Sequence, residues 1–510
     1  MACFMHQPQG VGSRTTIEDT NLNRTSSRPC YTLLWKEQWL DHRRNPNLQA
    51  NIKIIQDQSI PSSQTTQGIK KLLPEDYISL LRACTKNKDL QRGTQLHDRI
   101  LKQGLLDSCA DALVTMYAKC GALEKAKALL NSYHSRDVIS WTALIAGYVR
   151  AGLCEDALAC FEHMLHKGIS PNAVTYACLL KACGILSAAS KGKQFHEEIL
   201  KQGLLQNDMV LGGALVDMYA KCGSLAKAQR VLENLTLRDV VSWSALIAGY
   251  VQQGQGQEAL KCFECMRREG IHPNAVTYAC ILKACGILGD VGKGKQIHDE
   301  ILSQGLLQND FVLGGALVDM YAKCGDLARS QRVFDELPSR NVVSWCALIA
   351  GYAQKGQGEE ALKCFDRMQN EGIPPNAVTM CCVLNVCSQL GLVEEGHMYF
   401  SNMGAKYGLQ PAVEVYACMI DLLGRAGHLE KAVKLIRDMP SCNHSTIWHA
   451  LLAACGKWGD VSVGRWAFWQ AIQLDKRDGA AHILMANIYA AAGMQENAKS
   501  IEVLRMENNA

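Results

Sequence analysis

An internal period of 102 residues constrains the fold of this chain more than any other feature of its sequence. The thirteen residues LGGALVDMYAKCG begin at Leu211 and return unchanged at Leu313. Trp141, Trp243 and Trp345 follow one another at the same interval of 102 residues. Self-similarity at a fixed period is the signature of a repeat architecture, and 510 residues are too many for one compact core.

Each period divides into helix-turn-helix segments of 36, 31 and 35 residues. In the 35-residue kind, VSWSALIAGYVQQG predicts a first helix that ends at Gly254, and GQEALKCFECMRREG predicts a second. Pro273 then discourages helix continuation, and Asn274 is suited to capping the next first helix. The frame predicts eleven segments, at 74–106, 107–137, 138–172, 173–208, 209–239, 240–274, 275–310, 311–341, 342–376, 377–412 and 413–444.

Such helix pairs cannot bury both faces alone, so they stack on their neighbours. The predicted fold class is therefore all-α, an α-solenoid superhelix of helix-turn-helix repeats with one concave side. Residues 1–73 precede the repeats as an N-terminal extension. Arg14 and Arg24 among Ser, Thr and Asn favour a targeting segment there, whereas Glu18 and Asp19 argue against one, so targeting and disorder both stay open.

The 23 cysteines follow the repeat and do not indicate a metal or disulfide framework. Cys120, Cys222 and Cys324 are spaced by 102 residues, and three further sets keep that interval. Cysteines locked to a repeat beside apolar neighbours are expected to be small buried hydrophobes in a reducing compartment.

The formal charge of +4 permits nucleic-acid binding only through a local patch, and no apolar run is long enough to cross a bilayer.

Fragments of one catalytic signature occur, but none is complete. His196 and His298 both open an H-x-E motif, and Cys262 and Cys265 form C-x-x-C, as zinc deaminases require. The two histidines occupy one repeat position 102 residues apart, so helix packing explains them better. We therefore expect no catalytic residues, no metal site and no cofactor, and the chain is not expected to be an enzyme.

The rotation of three segment lengths, with VVSWSALIAGY, GKGKQIHDEIL and ALVDMYAKCG in their places, resembles the plant pentatricopeptide repeat proteins of the PLS subclass. The resemblance covers residues 74–510, with eleven repeats over 74–444. Residues 445–510 are similar to the terminal E-type extension motifs of members involved in organellar RNA editing. Longer relatives continue into a zinc-dependent DYW deaminase domain, for which the expectation here is that no residues remain.

The resemblance implies that each repeat faces one nucleotide of single-stranded RNA. The fifth and last residues of a repeat would read the base edge, and the second would pack between bases. Thr142 with Asn172, and Ser244 with Asn274, match the combination associated with adenine, whereas the glycines at position five depart from the pattern. The remaining base-reading candidates are Gly213 with Asp239, Gly315 with Asn341, and Cys346 with Asn376. The base-sandwiching candidates are Ile139, Val174, Val210, Val241, Val276, Val312, Val343 and Val378.

Simpler roles stand beside these functional ones. The valines could bury against the preceding repeat, and Asn172, Asn274 and Asn376 could cap the next helix. Lys119, Lys221 and Lys323, with Lys191 and Lys193, are candidates for phosphate contacts or for solvated helix ends.

Three functions follow from the resemblance and the fold. The first is a specificity adaptor in a mitochondrion or chloroplast for cytidine-to-uridine editing by a deaminase supplied in trans, bound through residues 445–510. The second is an RNA stability, splicing or processing factor, and the third is a protein-binding α-solenoid scaffold.

Overall fold

A computed structural model describes residues 72–133, 137–205, 208–308 and 310–509. The extension expected over residues 1–73 lies outside the described residues, apart from Leu72 and Leu73. The described residues form 26 α-helices and no strand, with one short 3₁₀ helix at Leu306–Gln308.

The α-helices alternate between a first and a second helix of each pair. The first helices are α1 Pro74–Asn87, α3 Leu106–Lys119, α5 Val138–Arg150, α7 Ala173–Leu186, α9 Met209–Lys221, α11 Val240–Gln252, α13 Ala275–Leu288, α15 Phe311–Cys324, α17 Val342–Gln354, α19 Ala377–Leu390, α21 Val413–Arg425, α23 Ser445–Trp458 and α25 Gly479–Ala491. The second helices are α2 Leu90–Lys102, α4 Leu123–Ser132, α6 Cys154–His166, α8 Ala189–Lys201, α10 Leu225–Asn234, α12 Gly256–Arg268, α14 Val291–Ser303, α16 Leu327–Glu336, α18 Gly358–Asn370, α20 Val393–Tyr407, α22 Leu429–Arg437, α24 Val461–Leu474 and α26 Gln495–Asn509.

Most turns inside the helix pairs end the first helix with a glycine in the left-handed conformation, and Lys88 and Ser187 take that conformation after α1 and α7. Gly254 follows α11 with a φ of 73°, a left-handed conformation that a side chain would disfavour. The first helices of α1–α22 begin at the first residue of a segment, except that α3 begins at Leu106, one residue before Asp107. Helix ends vary by a residue or two because their terminal turns are held by few hydrogen bonds.

The first helices pack side by side in one layer. Each contacts its own second helix and the first helices on either side, and each second helix also contacts the next first helix. This arrangement is an α-solenoid, as the sequence predicted.

The large aromatic side chains of the first helices fill the layer, with Trp141 and Trp345 buried. Glycines allow some of the closest approaches: a Cβ added to Gly192 or Gly294 would lie about 2.5 Å from the sulfur of a methionine in the next first helix. The methionines are Met218 and Met320.

The cysteines of the described part of the chain are all free. Cys183, Cys285 and Cys387 are fully buried, and burial raises the pKa of each thiol, that of Cys285 to about 12. Cys222 is half-buried and lies 3.7 Å from the Cys183 carbonyl oxygen, so its thiol contributes to packing between neighbouring pairs. The fully buried set agrees with the prediction of small buried hydrophobes, whereas Cys120, Cys222 and Cys324 are only half-buried.

Candidate nucleic-acid interface

The last residue of each 35-residue segment caps the first helix that follows. Asn172 Oδ1 accepts hydrogen bonds from the backbone nitrogen and from the hydroxyl of Thr175, both at 2.9 Å. Asn274 and Asn376 repeat both bonds at their own helices. The capping role considered from the sequence is therefore confirmed. Within the described residues, Nδ2 of these asparagines forms no hydrogen bond, which leaves two donor protons at each.

The fifth residue of each 35-residue segment contacts the threonine whose backbone nitrogen and hydroxyl donate to the capping asparagine. Thr142 Oγ1 lies 2.7 Å from Thr175 Oγ1, and Ser244 Oγ lies 2.7 Å from Thr277 Oγ1. Thr142 is only 7% exposed and Ser244 only 6% exposed. Each hydroxyl is therefore held between neighbouring helix pairs rather than projected into solvent.

Cys346 occupies the equivalent place in the third 35-residue segment. Its sulfur lies 2.9 Å from Thr379 Oγ1 and 3.7 Å from Asn376 Oδ1. Burial raises the pKa of this thiol to about 12, so it stays neutral. The arrangement of the first two segments is thus kept, with a weakly polar sulfur in place of a hydroxyl oxygen.

The short segments 209–239 and 311–341 carry glycine at the fifth position, whereas 107–137 carries Asp111 there. The caps that follow the two glycine segments resemble the others. Asp239 Oδ1 accepts from the backbone nitrogen of Ser242 at 2.9 Å, and Asn341 Oδ1 accepts from that of Ser344 at 3.0 Å. A Cβ added to Gly213 would lie 3.9 Å from Val241 Cγ1. The fifth position of one segment and the second position of the next therefore lie side by side, together with the capping residue between them.

The second-position side chains differ in exposure although their sequence context is similar. Val210 is 74% exposed, and Ile139, Val174, Val241 and Val276 are also exposed. Val312 and Val343 are half-buried. Val378 is only 6% exposed, which is the burial considered as the alternative role for these valines.

The lysines of the YAKCG turns are paired with acids in two of three places. Lys221 Nζ lies 2.5 Å from Asp217 Oδ2, and Lys323 Nζ lies 2.5 Å from Asp319 Oδ2. Lys119 is exposed, and Thr115 stands where the other two segments have aspartate. Lys191 and Lys193 lie 3.4 and 3.5 Å from Glu162 and Glu197. These ion pairs reduce the positive charge that the lysines present to an anion.

The fragments of a deaminase signature have structural roles. Nδ1 of His196 lies 3.0 Å from the hydroxyl of Tyr219, and His298 repeats this contact on Tyr321. Burial lowers the pKa of both histidines and raises the pKa of Cys262 to about 12. The residues that the structure describes contain no group of three or more His, Cys, Asp or Glu able to hold a metal ion.

Sequence reasoning missed the threonines that join these residues, Thr175, Thr277 and Thr379. Each is buried at the third position of a long segment and contacts both the fifth and the last residue of the segment before it. A signal existed, because the threonine of AVTYAC and AVTMCC recurs with the 102-residue period.

None of the helices described is long and apolar enough to cross a membrane.

The helical hairpins stack in an array, and a line of capping side chains recurs along it. These features define the class of protein: it is a helical repeat protein.

Family models and relatives agree on which repeat this is. The model described as PPR repeat family matches residues 136–184, 238–286 and 340–389, and the PPR repeat model matches 276–306, 315–342, 378–406 and 414–444. The chain is 36% identical over 435 residues to the Arabidopsis thaliana putative pentatricopeptide repeat-containing protein At3g13770, mitochondrial, an alignment covering 84% of the chain and 69% of that protein. The chain belongs to the pentatricopeptide repeat family, and its matches are to repeat proteins rather than to enzymes.

Other relatives are longer than the region they share with this chain. The Arabidopsis thaliana pentatricopeptide repeat-containing protein At3g02330, mitochondrial, is 37% identical over 452 residues, and the alignment covers 84% of the chain but 50% of that protein. For At2g33680 of the same organism, 38% identical over 411 residues, the shares are 80% and 56%. The chain thus spans about half the length of these relatives.

Among solved structures, the pentatricopeptide repeat protein PPR10 from maize matches with a TM-score of 0.54 at 18% identity, over 85% of the chain and 69% of PPR10. PPR10 in complex with an 18-nt psaJ RNA element matches with a TM-score of 0.50 at 16% identity, over 87% and 86%. These likenesses show the shared fold.

Proposed function

We propose that this chain binds single-stranded RNA along the line formed by the start of each first helix and the residue before it. The observation that carries this proposal is the repeated adjacency of an exposed apolar side chain, a capping side chain and a fifth-position residue. Flat apolar contacts and outward amide donors are what an unstacked base requires, since its faces pack and its edges form hydrogen bonds. PPR10, which has the same fold, has been solved with RNA bound.

In this mechanism the exposed second-position side chains separate successive bases. Val241 Cγ1 lies 3.9 Å from a Cβ placed at Gly213, and Val210 precedes Gly213 by three residues on α9, so a base lying over the glycine would pack between these exposed valines. Base edges would then be read by the residues between these valines, and Asp239 would offer carboxylate oxygens as acceptors. Gly213 and Gly315 supply no side chain, so their segments discriminate less between bases.

Base reading and capping coexist in the segments that end in asparagine. Capping uses Oδ1 of Asn172 and leaves both protons of Nδ2 for a base. A well-placed pair of side chains discriminates between bases by about 1 to 3 kcal/mol. Thr142 with Asn172 and Ser244 with Asn274 are the pairs that we assign to adenine.

We further propose that the bound transcript is presented to a deaminase supplied in trans, in a mitochondrion or chloroplast. The sequence of residues 445–510 supports this, and so does their surface. Trp458, Trp469, Ile483 and Met506 are exposed large apolar side chains of the last four helices. Exposed apolar side chains of this size favour contact with a protein partner.

RNA binding is tested with a labelled random pool of single-stranded RNA at two salt concentrations, with duplex RNA as competitor. The proposal predicts retention at low salt that weakens as salt increases, and weak competition by the duplex. Absence of retention at low salt would remove the proposal and leave the protein-binding scaffold as the function to pursue.

The editing role is tested in plants that lack this protein, by sequencing organellar transcripts after complementation. The unaltered chain should restore cytidine conversion at specific sites, and the Trp469→Asp, Met506→Asp variant should bind RNA but restore less conversion. If complementation changed transcript abundance or splicing with conversion unaffected, the RNA stability and processing function would replace the editing role.

A further inference from the structure

Two equivalent clusters of sulfur atoms lie between neighbouring helix pairs, 102 residues apart in the sequence. In the first cluster, Cys222 Sγ lies 3.9 Å from Met218 Sδ and 3.7 Å from the carbonyl oxygen of Cys183. The second cluster repeats both distances. The sulfur clusters, as we call them, are Cys183–Met218–Cys222 and Cys285–Met320–Cys324.

A glycine of the second helix makes room for the thioether of each cluster. Met218 Sδ lies 2.4 Å from a Cβ added to Gly192, so the sulfur fills the space that a side chain would occupy. The first cysteine borders the same space: in a later pair, Cys387 Cβ lies 3.4 Å from a Cβ added to Gly396, the equivalent of Gly192. Burial raises the pKa of Cys183 to about 11, and a charge on Cys222 raises it further, which agrees with two thiols close together.

One sulfur of each cluster can be reached from solvent. Both methionines and both first cysteines are fully buried, whereas Cys222 and Cys324 are half-buried. Cys324 lines an open cavity of about 580 Å³ together with Asp326 and Lys355. Burial raises the pKa of Cys324, and Asp290, Asp319 and Asp326 raise it as well, so nearby negative charge favours a cation at this sulfur.

The donor set of a sulfur cluster selects a soft metal ion. Two cysteine sulfurs and one thioether are the ligands that Cu(I) prefers. Zinc in proteins is almost always held by four ligands in a tetrahedron, so three sulfurs leave its coordination incomplete. A buried site also favours an ion that leaves its net charge unchanged. One Cu(I) that replaces the proton of the Cys222 thiol meets this condition: the proton passes to water, and copper keeps its oxidation state.

We propose that each sulfur cluster binds one Cu(I) ion, held by the thiolate of the half-buried cysteine, the thioether of methionine and the sulfur of the buried cysteine. The bound ion joins two neighbouring first helices, α7 with α9 and α13 with α15. It therefore stabilises the stacking of helix pairs. This binding site goes beyond the proposed RNA binding and does not depend on it.

The next helix pair contains a natural counterpart that lacks two of the three ligands. Cys387 occupies the place of the buried cysteine, but Leu422 and Ala426 stand where the clusters have methionine and cysteine. Leu422 Cδ2 lies 2.2 Å from a Cβ added to Gly396, so leucine fills the space of the thioether. The array thus accommodates the leucine and alanine that are needed to remove a cluster.

Loss of the clusters is tested by titrating the full chain with Cu(I), anaerobically and in competition with a chelator specific for Cu(I). The variant Met218→Leu, Cys222→Ala, Met320→Leu, Cys324→Ala should retain two ions fewer per chain than the unaltered protein. Cys160→Ala with Cys364→Ala is the matched control, because it removes two half-buried cysteines that belong to neither cluster. It should retain as many ions as the unaltered protein. Equal retention by the cluster variant and the unaltered protein would overturn the proposal.

Gain of a cluster is tested with the Leu422→Met, Ala426→Cys variant, which should retain one additional ion. Each retained ion should release one proton into a weakly buffered solution, and should raise the melting temperature because it binds the folded chain. X-ray absorption at the copper edge should show sulfur ligands alone. Nitrogen or oxygen ligands would show an adventitious ion only and would contradict the assignment, as would a folded Leu422→Met, Ala426→Cys variant that gains no ion.

Discussion

The hydroxyl oxygen of Thr142 lies 2.7 Å from the hydroxyl oxygen of Thr175, although the two residues belong to different helix pairs. Ser244 and Thr277 repeat the distance one period later. Because Thr175 also bonds the capping Asn172, one network stabilises a helix start and carries the residues assigned to base reading. Substitutions in it therefore affect both stability and binding, and each prediction below separates the two.

Replacing Thr142 and Asn172 together by alanine should weaken binding to an RNA with the matching adenine more than to one without it. The lost cap should also reduce the free energy of unfolding by about 1 kcal/mol. Titrations of both RNAs and thermal melts measure these effects. Asp208→Ala is the control, because Asp208 caps α9 in the same way but the fifth residue of its segment is Ala177. Equal losses on both RNAs would show that the pair only maintains the fold.

Cys346→Ser should increase affinity for an RNA in which adenine faces Cys346 and Asn376. Serine would replace the neutral buried thiol with the hydroxyl found at Ser244, and so with a stronger acceptor. The measurement is the affinity ratio between adenine and uridine at that nucleotide. Cys280→Ser, buried in α13 and neither the fifth nor the last residue of its segment, should leave the ratio unchanged. An unaltered ratio in Cys346→Ser would contradict the assignment.

Asp217→Asn with Asp319→Asn should increase RNA affinity at low salt and steepen its salt dependence. The two carboxylates pair with Lys221 and Lys323, and removing their charge leaves more positive charge for phosphates. Binding titrations over a series of salt concentrations give the slope. The ion pairs are partly exposed, so stability should change by less than about 1 kcal/mol. A slope identical to that of the unaltered chain would place these lysines outside the RNA contact.

Val210→Ala should weaken RNA binding and leave stability unchanged, whereas Val378→Ala should reduce stability. Val210 is 74% exposed, so its truncation should weaken RNA binding without changing the melting temperature. Val378 is 6% exposed, and its truncation should cost about 1 to 2 kcal/mol of stability. Thermal melts and RNA titrations of both variants distinguish a role in binding from a role in packing. A stability loss in Val210→Ala with no change in binding would assign that valine to packing.

The stability of the array should fall as pH decreases below the ordinary histidine value of about 6.5. Burial lowers the pKa of His196 and His298, so the unfolded chain binds protons more readily than the folded chain. Their contribution is complete above pH 6.5 and is lost towards the lower folded pKa, although Glu197 and Asp299 oppose the shift. Urea unfolding just above and just below the ordinary histidine pKa measures this change in the free energy of unfolding. The His196→Gln, His298→Gln variant should show a weaker pH dependence, and an unchanged dependence would assign it to other groups.

The helix pairs could be predicted from sequence because local chemistry marks their ends. Gly254 ends a first helix and Asn274 begins the next, and both roles depend only on nearby residues. The contact between Thr142 and Thr175 could not be predicted in this way, because these residues are separated by 33 positions and meet only through stacking. The exposure of the valines is also set by neighbours: NAVT surrounds both Val276 and Val378, yet only Val378 is buried.

The ion pairs of Lys221 and Lys323 differ from these contacts, because the residues that form each pair are close together in the sequence. Asp217 and Lys221 lie four residues apart on one helix, where side chains of opposite charge attract each other. Their mutual neutralisation could have been inferred from DMYAK before the structure, and it reduces the case for strong phosphate binding at these turns.

The central claim is that RNA lies along the starts of the first helices, and photochemical crosslinking measures this most directly. Single-stranded RNA containing 4-thiouridine would be crosslinked to the full chain, and the modified residues would be identified by mass spectrometry. We predict crosslinked peptides that contain Ile139, Val210 or Val241, with few from the second helices. Crosslinks confined to the second helices, with none at the starts of the first helices, would contradict the account.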